Sequence, residues 1–377
     1  MKRCIAMVLT VLLLMSCLCG CNQTATKDGL GNGWEPESSM QLEYATQFAV
    51  DYYTDGYKLI TMGDGSRFLV IPEGASLPKG IARDIVPLYQ PVENIYLAAT
   101  AAMCLFDALD RLDAISLSGS KADSWHIENA RTAMEEGRIQ FAGKYSEPDY
   151  EMILGHDCPL AVESLMIGHA SEVKDKLEEL GIAVLVDLSS SEGHPLGRTE
   201  WIKLYGAILN EEEKANALFA EQAKYLSETT MEDTGKSVAF FHVSSSGYVV
   251  ARKTGDYVSK MIELAGGDYI FDDLGDPESG TSTVTIEMET FFATAKDADI
   301  IIYNSAIGGE IYTIEDLIEK NSLMAELKAV QNANVWCTSQ NMYQETTGLG
   351  QMIESFHLIF SGQADDLDEV PYLHRLH

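Results

Sequence analysis

Short apolar runs separated by turn residues open the folded part of the chain. The segments Tyr44–Tyr53, Tyr57–Met62 and Arg67–Ile71 alternate or run apolar, and Asp-Gly and Gly-Asp-Gly sequences separate them. A period of two is typical of strands, and turns of this composition join antiparallel neighbours. The pattern predicts an N-terminal β-meander.

From Asn94 onward, short apolar strands alternate with helical segments. Strands are predicted at Ile95–Leu97, Ala114–Leu117, Leu160–Val162, Ala183–Leu188, Val238–Val243, Ile300–Tyr303 and Val335–Trp336. Helices are predicted at Thr100–Leu109, Pro148–Leu154, Ser171–Leu180, Tyr257–Ala265, Ile286–Lys296 and Met342–Phe360. Strand and helix alternating at this spacing indicate parallel sheets covered by helices.

A long helix divides this pattern into two halves. After a helical stretch at Arg198–Leu209, Asn210 is predicted to start a second helix that runs to about Ser227, with Asn210 and Glu213 spaced as in a capping box. At 1.5 Å per residue this helix is roughly 27 Å long, enough to link two lobes. The predicted fold class is α/β: two β/α lobes with central parallel sheets, joined by a single inter-lobe helix and preceded by the meander.

The first residues carry a targeting pattern. Lys2 and Arg3 precede an apolar stretch, Ile5–Leu18, which is too short to cross about 30 Å of hydrocarbon but suits a signal peptide. The chain of 377 residues is therefore divided as follows: signal peptide 1–21, flexible tether 22–41, N-terminal lobe 42–209, inter-lobe helix 210–230, and C-terminal lobe with a closing helix 231–377.

Cysteines at the end of this stretch indicate a lipid anchor. Leu18-Cys19-Gly20-Cys21 resembles the lipobox of bacterial lipoproteins, which implies lipidation of Cys21, with Cys17 as the alternative. An ordinary cleaved signal peptide is the other interpretation. The polar segment after Cys21 has no hydrophobic period and suits a flexible leash. We expect an exported protein, anchored by lipid to the outer face of the cell membrane.

The net charge and the absence of common catalytic motifs restrict the possible partners and functions. The chain has 58 acidic and 26 basic residues, a formal net charge of −32, which disfavours nucleic acid and anionic lipid headgroups as partners. The sequence contains no Gly-x-Ser-x-Gly elbow, His-Glu-x-x-His pair or P-loop. These features favour a binding protein over an enzyme.

Polar residues cluster where the predicted strands end. In parallel β/α sheets, ligands bind beyond the carboxyl ends of the strands, so two facing lobes would line a cleft with these residues. The ligand-binding candidates are Thr100, Ser118, Ser164, His194, His242, Tyr248, Arg252, Asn304 and Gln340.

These side chains suit a bulky ligand held by apolar contacts and a few polar groups. The Arg252 guanidinium is a candidate for a bidentate contact with a carboxylate or catecholate of the ligand. The alternative is a surface arginine paired with Asp256. His194 and His242 are candidates for a haem or corrinoid metal, or are simply hydrogen-bonding residues.

The order of segments resembles the solute-binding proteins of iron–siderophore, haem and cobalamin ABC importers, whose lobes are joined by a rigid helix. The resemblance spans roughly residues 81–360. It is carried by Pro91–Leu97, Thr100–Ser116, Pro148–Ile153, Pro159–Glu163, Glu172–Val186, Leu264–Asp268 and Val284–Glu287.

The resemblance implies a monomeric, non-catalytic receptor without a cofactor, which passes a metal chelate to an ABC permease and its ATPase. The ligand would be an iron–siderophore complex or haem, or alternatively a corrinoid. Glu151 and Glu287 match the positions that dock onto the permease, although acids near helix starts are also favoured by the helix dipole. A zinc- or manganese-binding lipoprotein and a structural adhesin or sensor are the remaining alternatives.

Overall fold

The computed structural model describes residues 30, 33–228, 231–271, 274 and 282–377. Its first sheet confirms the predicted meander and adds a parallel edge strand. The strands pair in chain order and are antiparallel except for the last pair: β1 (Ser38–Ser39), β2 (Phe48–Tyr52), β3 (Lys58–Met62), β4 (Arg67–Ile71) and β5 (Ile85–Tyr89).

The outer face of this sheet is covered by the residues that precede it. Trp34 packs edge-on against Tyr53 and Tyr57, with ring centroids 6.1 and 5.1 Å apart, and β1 pairs with β2. The prediction of a flexible tether was therefore wrong for 34–41, because apolar and strand contacts hold this part in place. Residues 22–29, 31 and 32 lie outside the described residues.

Two buried carboxylates fasten the segment before β2 to the helices that follow the second sheet. Glu200 accepts hydrogen bonds from the backbone N–H groups of Glu43, Tyr44 and Ala45 at 2.8–3.1 Å. Glu192 accepts from those of Thr46 and Gln47 at 2.9–3.1 Å. A carboxylate is costly to bury unless such donors surround it. The meander is thus a brace on the first lobe.

The second sheet is entirely parallel and has the strand order β12-β11-β6-β7-β8. Its strands are β6 (Ile95–Leu97), β7 (Ile115–Ser118), β8 (Gln140–Phe141), β11 (Leu160–Ser164) and β12 (Ala183–Asp187), with a hairpin of β9 (Gly143–Lys144) and β10 (Glu147–Pro148). The connecting helices are α1 (Met103–Ala108), α2 (Glu128–Glu135), α3 (Tyr150–Gly155) and α4 (Ser171–Glu179). The inner face of the first sheet shares one hydrophobic core with this sheet.

Three helices follow: α5 (Pro195–Glu200), α6 (Ile202–Leu209) and α7 (Glu212–Glu228). The long helix is present, but Asn210 does not start it. Asn210 ends α6 in a left-handed conformation, with φ of 59°, and its side-chain oxygen accepts from Lys58 Nζ at 2.7 Å and Gln90 Nε2 at 2.8 Å. The predicted capping role was wrong because the first sheet uses this oxygen.

The third sheet is mixed and builds a separate hydrophobic core. The strand order is β16-β14-β13-β17-β18-β20-β19, and β15 also pairs with β13. The strands are β13 (Lys236–Val243), β14 (Val249–Arg252), β15 (Gly267–Tyr269), β16 (Thr283–Ile286), β17 (Ile300–Tyr303), β18 (Val335–Thr338), β19 (Glu369–Val370) and β20 (Leu373–Arg375). Its helices are α8 (Tyr257–Leu264), α9 (Met288–Ala295), α10 (Ser305–Gly308), α11 (Ile314–Lys320), α12 (Lys328–Gln331) and α13 (Leu349–Phe360).

Helix α7 is wedged between α6 and α13 at two glycines. A Cβ on Gly206 of α6 would lie 2.7 Å from the Ala215 Cβ, and one on Gly350 of α13 would collide with the carbonyl oxygen of Gln222. Leu226 packs against both hydrophobic cores. The helix is therefore held on both sides, as a rigid link between two lobes requires.

One buried acid lacks the donors that Glu192 and Glu200 have. Glu163 on β11 is fully buried, and neither of its carboxyl oxygens has a hydrogen-bond partner in the described part of the chain. Burial raises the pKa of Glu163 to about 8. The folded state therefore holds this proton more tightly than the unfolded chain does, whose carboxyl titrates near 4.5.

Glu163→Gln is expected to stabilise the protein increasingly as the pH rises. A raised folded-state pKa means that the wild type loses stability between pH 4.5 and about 8. At roughly 1.4 kcal/mol per pKa unit, the variant should gain a few kcal/mol across that window. Urea unfolding from pH 5 to 8.5 measures this, with the exposed Glu179→Gln as control. A gain that does not change with pH would contradict the interpretation.

Candidate ligand-binding site

The loops that follow the carboxyl ends of the second and third sheets meet each other. The helical turn Thr100–Ala102, after β6, packs against the turn Gln340–Gln344, after β18. The Gln344 side-chain amide donates to the Ser124 carbonyl oxygen and accepts from the His126 N–H, both at 2.8 Å. These contacts form a floor between the lobes, with strand ends on either side.

A buried polar cluster lies on the second-lobe side of this floor. The Arg252 guanidinium donates to the Tyr343 hydroxyl, lies 4.7 Å from the centre of its ring, and is 3.5 Å from the Asp256 carboxylate. Asn304 Nδ2 donates to the same hydroxyl at 2.7 Å. The structure thus brings the predicted Arg252 and Asn304 together. Arg252 does pair with Asp256, but as a buried residue rather than a surface one.

Tyr343 joins this cluster although it was not among the predicted site residues. Burial raises the pKa of the Tyr343 hydroxyl, even though the Arg252 charge lowers it. The hydroxyl therefore stays protonated at neutral pH and keeps a proton to donate. Its position on the turn after β18 was visible in the sequence, but its contact with a residue 91 positions away was not.

The two candidate histidines are neutral. Burial, and then the nearby Arg252 charge, lower the pKa of His242. Burial and the Lys260 charge lower the pKa of His194, whose Nδ1 accepts from the Leu196 N–H at 3.1 Å and whose ring stacks 4.4 Å from that of Tyr44. For His194 the hydrogen-bonding interpretation is therefore observed, and its role toward a metal stays a prediction.

The remaining candidates fall into two groups. The Ser118 hydroxyl donates to the Ser120 carbonyl oxygen at 2.9 Å, and that of Ser164 accepts from the Met166 N–H at 3.3 Å, so both bond within their own loops. Thr100 and Gln340 are exposed at the packed turns, and Tyr248 is exposed between β13 and β14.

Exposed apolar side chains lie at or shortly after strand ends in both lobes, and among them Tyr248 was a predicted site residue. Phe141, Leu165 and Met166 belong to the first lobe, and Ile307, like Tyr248, belongs to the second. Other large apolar side chains are exposed elsewhere, so the position of these at strand ends, rather than their exposure alone, makes them candidates for ligand contact. In the sequence, Leu165, Met166 and Ile307 lie shortly beyond predicted strands, whereas the strand that ends at Phe141 was not predicted.

Two surface cavities in the described part of the chain lie away from this region. One, of about 420 Å³, is bordered by Asp107, Arg111 and Arg138, and the other, of about 400 Å³, by Glu232 and His357. Neither cavity adjoins the Arg252 cluster. The strand ends are therefore the candidate site, because parallel sheets present their binding groups there.

Comparison with known proteins agrees with this architecture. Residues 117–341, more than half of the chain, match the model of the periplasmic binding protein family. The chain belongs to this family. Two uncharacterized lipoproteins of Methanocaldococcus jannaschii are similar to it: one is 25% identical over 330 residues, covering 80% of this chain and 77% of the relative, and the other is 25% identical over 353 residues, covering 89% and 86%.

Solved periplasmic binding proteins share the fold. The TroA-like protein FepB of Veillonella parvula has a TM-score of 0.58 at 14% identity, over 77% of this chain and 96% of that one. The periplasmic haem-binding protein HutB of Vibrio cholerae has a TM-score of 0.56 at 16% identity, over 70% and 97%. The vitamin B12-binding protein BtuF of the same organism has a TM-score of 0.51 at 17% identity, over 72% and 98%.

The two predicted docking acids are exposed at helix starts, one in each lobe. Glu151 lies in the first turn of α3, whose start is capped by Asp149, and Glu287 is the N-cap residue of α9 without a capping side-chain bond. Their carboxylates are free to meet another surface. Cys21 lies outside the described residues, and no helix within them has the length and apolar character needed to cross a bilayer.

Gln344→Ala is expected to loosen the floor between the lobes. The change removes both hydrogen bonds to the segment at Ser124 and His126, and hydrogen bonds of this kind contribute about 0.5–1.5 kcal/mol each. Amide hydrogen exchange at His126 should therefore become roughly tenfold or more faster. Gln363→Ala, which removes a side chain that donates to nearby Ser361, serves as control. Unchanged protection at His126 would show that Gln344 does not hold the lobes together.

Proposed function

We propose that this periplasmic binding protein is the receptor of an ABC importer and captures a metal chelate, most suitably an iron–siderophore complex or haem. A corrinoid is the alternative ligand of the same class. The protein binds and delivers its ligand without transforming it. The permease and its ATPase are its partners, and it acts as a monomer at the outer face of the cell membrane.

The observation that carries this proposal is the set of exposed apolar side chains at the strand ends of both lobes. Phe141, Leu165 and Met166 on one side and Tyr248 and Ile307 on the other are exposed, which suits a ligand with a broad apolar or aromatic surface. The buried Arg252–Tyr343–Asn304 cluster adds a few polar groups that would orient it. A site for a small sugar or a free ion would instead be lined mostly by polar side chains.

The similar proteins support the same ligand class. The solved structures named above include a haem-binding and a vitamin B12-binding protein, and another neighbour is described as an Fe³⁺-hydroxamate transport system protein, with a TM-score of 0.54. The relatives named as lipoproteins support an exported protein anchored through Cys21, or through Cys17.

Calorimetric titration of the purified protein tests the ligand class. Haem, ferrichrome, ferric citrate and cyanocobalamin are each titrated and compared with Zn²⁺. The proposal predicts at least micromolar affinity for one of the chelates and none for the free ion. Binding of Zn²⁺ alone would replace the proposal with a metal-binding lipoprotein.

Glu151→Ala combined with Glu287→Ala is expected to abolish uptake and leave binding intact. Both carboxylates are exposed, and neither forms a hydrogen bond or ion pair with the described residues of the Arg252 cluster. Their loss should therefore affect docking onto basic permease residues rather than the ligand. Uptake of radiolabelled chelate by cells and affinity in solution are measured together. The control is Glu135→Ala with Glu319→Ala, which removes one exposed acid from each lobe. Lost affinity, or full uptake, would contradict the docking role.

A further inference from the structure

Arg198 occupies an unusual position where the two lobes meet. It lies on α5, and its guanidinium carbon is 4.0 Å from the centre of the Tyr257 ring at the start of α8. The stacked pair therefore joins the helix after the second sheet to a helix of the third. The Arg198 Nε is buried, yet it has no hydrogen-bond partner in the described part of the chain.

The Arg198 guanidinium has no ion pair with any residue that the structure describes. Burial raises the pKa of the nearby Asp256 carboxyl, whereas the charges of Arg252 and Arg198 lower it. Asp256 pairs with Arg252 at 3.5 Å and also accepts from the Val258 N–H at 2.9 Å as the cap of α8. Asp256 is thus already engaged by Arg252 and by the start of α8, and it forms no ion pair with Arg198.

We propose that Arg198, stacked on Tyr257 beside the Arg252–Tyr343 pair, binds a carboxylate of the captured chelate. This inference rests on the proposed function and specifies the ligand: a chelate that carries free carboxylates, such as haem or ferric citrate, rather than a neutral one such as ferrichrome.

The geometry suits this role. Stacking on an aromatic face holds the guanidinium plane in place and leaves its edge, which carries the N–H donors, for a planar carboxylate. A charge-assisted pair is strongest where water is partly excluded, as it is around the buried Nε. The ligand carboxylate would supply the ion-pair partner that Arg198 lacks among the described residues.

The site also explains how a chain with a net charge of −32 accepts an anion. Exposed charges are screened beyond a Debye length of about 8 Å at physiological salt. The arginine side chains next to the ligand therefore determine its electrostatic interaction inside the cleft. The scattered surface acids then matter for solubility more than for ligand choice.

The test compares matched ligands on the wild type and on Arg198→Gln. Haem and its dimethyl ester, ferric citrate and ferrichrome are titrated under the same conditions. The wild type is expected to bind haem or ferric citrate, and to bind haem dimethyl ester at least tenfold more weakly than haem. Arg198→Gln should weaken binding of the carboxylate-bearing chelate by about 10- to 100-fold, the usual effect of losing a hydrogen bond to a charged group.

Two further variants distinguish the loss of the Arg198 charge from a general effect on folding. Arg131→Gln removes an exposed arginine of α2 and should leave all affinities unchanged, whereas Arg198→Lys should recover part of the loss because it keeps the charge without the fork. If Arg198→Gln does not fold, Arg198→Lys still tests the residue, and the ester comparison on the wild type tests recognition of a carboxylate.

Three results would overturn the inference. Equal affinity of the wild type for haem and its dimethyl ester, or binding of ferrichrome alone, would show that no carboxylate is recognised while leaving the proposed function standing. Failure of every chelate, cyanocobalamin included, to bind the wild type would contradict the proposed function and this inference together.

Discussion

The fixed position of α7 is the constraint on which the rest of the structure depends. Its first half packs into the core of the first lobe through Ala215 and Phe219, and Leu226 near its end touches both cores. Gly206 and Gly350 allow the neighbouring helices to approach where any side chain would collide. A link held in this way keeps two independently built sheets in one orientation, so that their strand ends meet across a common floor.

Buried charge in this acidic chain is placed according to its partners. Glu192 and Glu200 are surrounded by backbone N–H donors and tie the first sheet to the helices near α7. Glu163 has no such donors, and its pKa is raised accordingly. Arg252 is paired with Asp256, whereas Arg198 stacks on Tyr257 and has no ion pair among the described residues. The same rule, that a buried charge needs a partner, explains both the brace and the proposed ligand contact.

Apolar periodicity predicted the strands, the lobes and the long helix because these features depend on which residues are buried. Strand-end chemistry also led to Arg252 and Asn304. Such patterns could not predict contacts between distant segments. Tyr343 contacts Arg252, which is 91 residues away, and Gln344 contacts Ser124, which is 220 residues away. Asn210 and the segment from Trp34 to Gln41 were misjudged for the same reason, since their partners lie in the first sheet.

Small-angle X-ray scattering of the protein with and without its bound chelate tests the rigid link most directly. If α7 holds the lobes as described, the radius of gyration should change by less than about 1 Å on binding, as for partners that are organised beforehand. A contraction of several ångströms, with the scattering curve of an open, hinged molecule in the free state, would contradict a stiff connection between the two sheets.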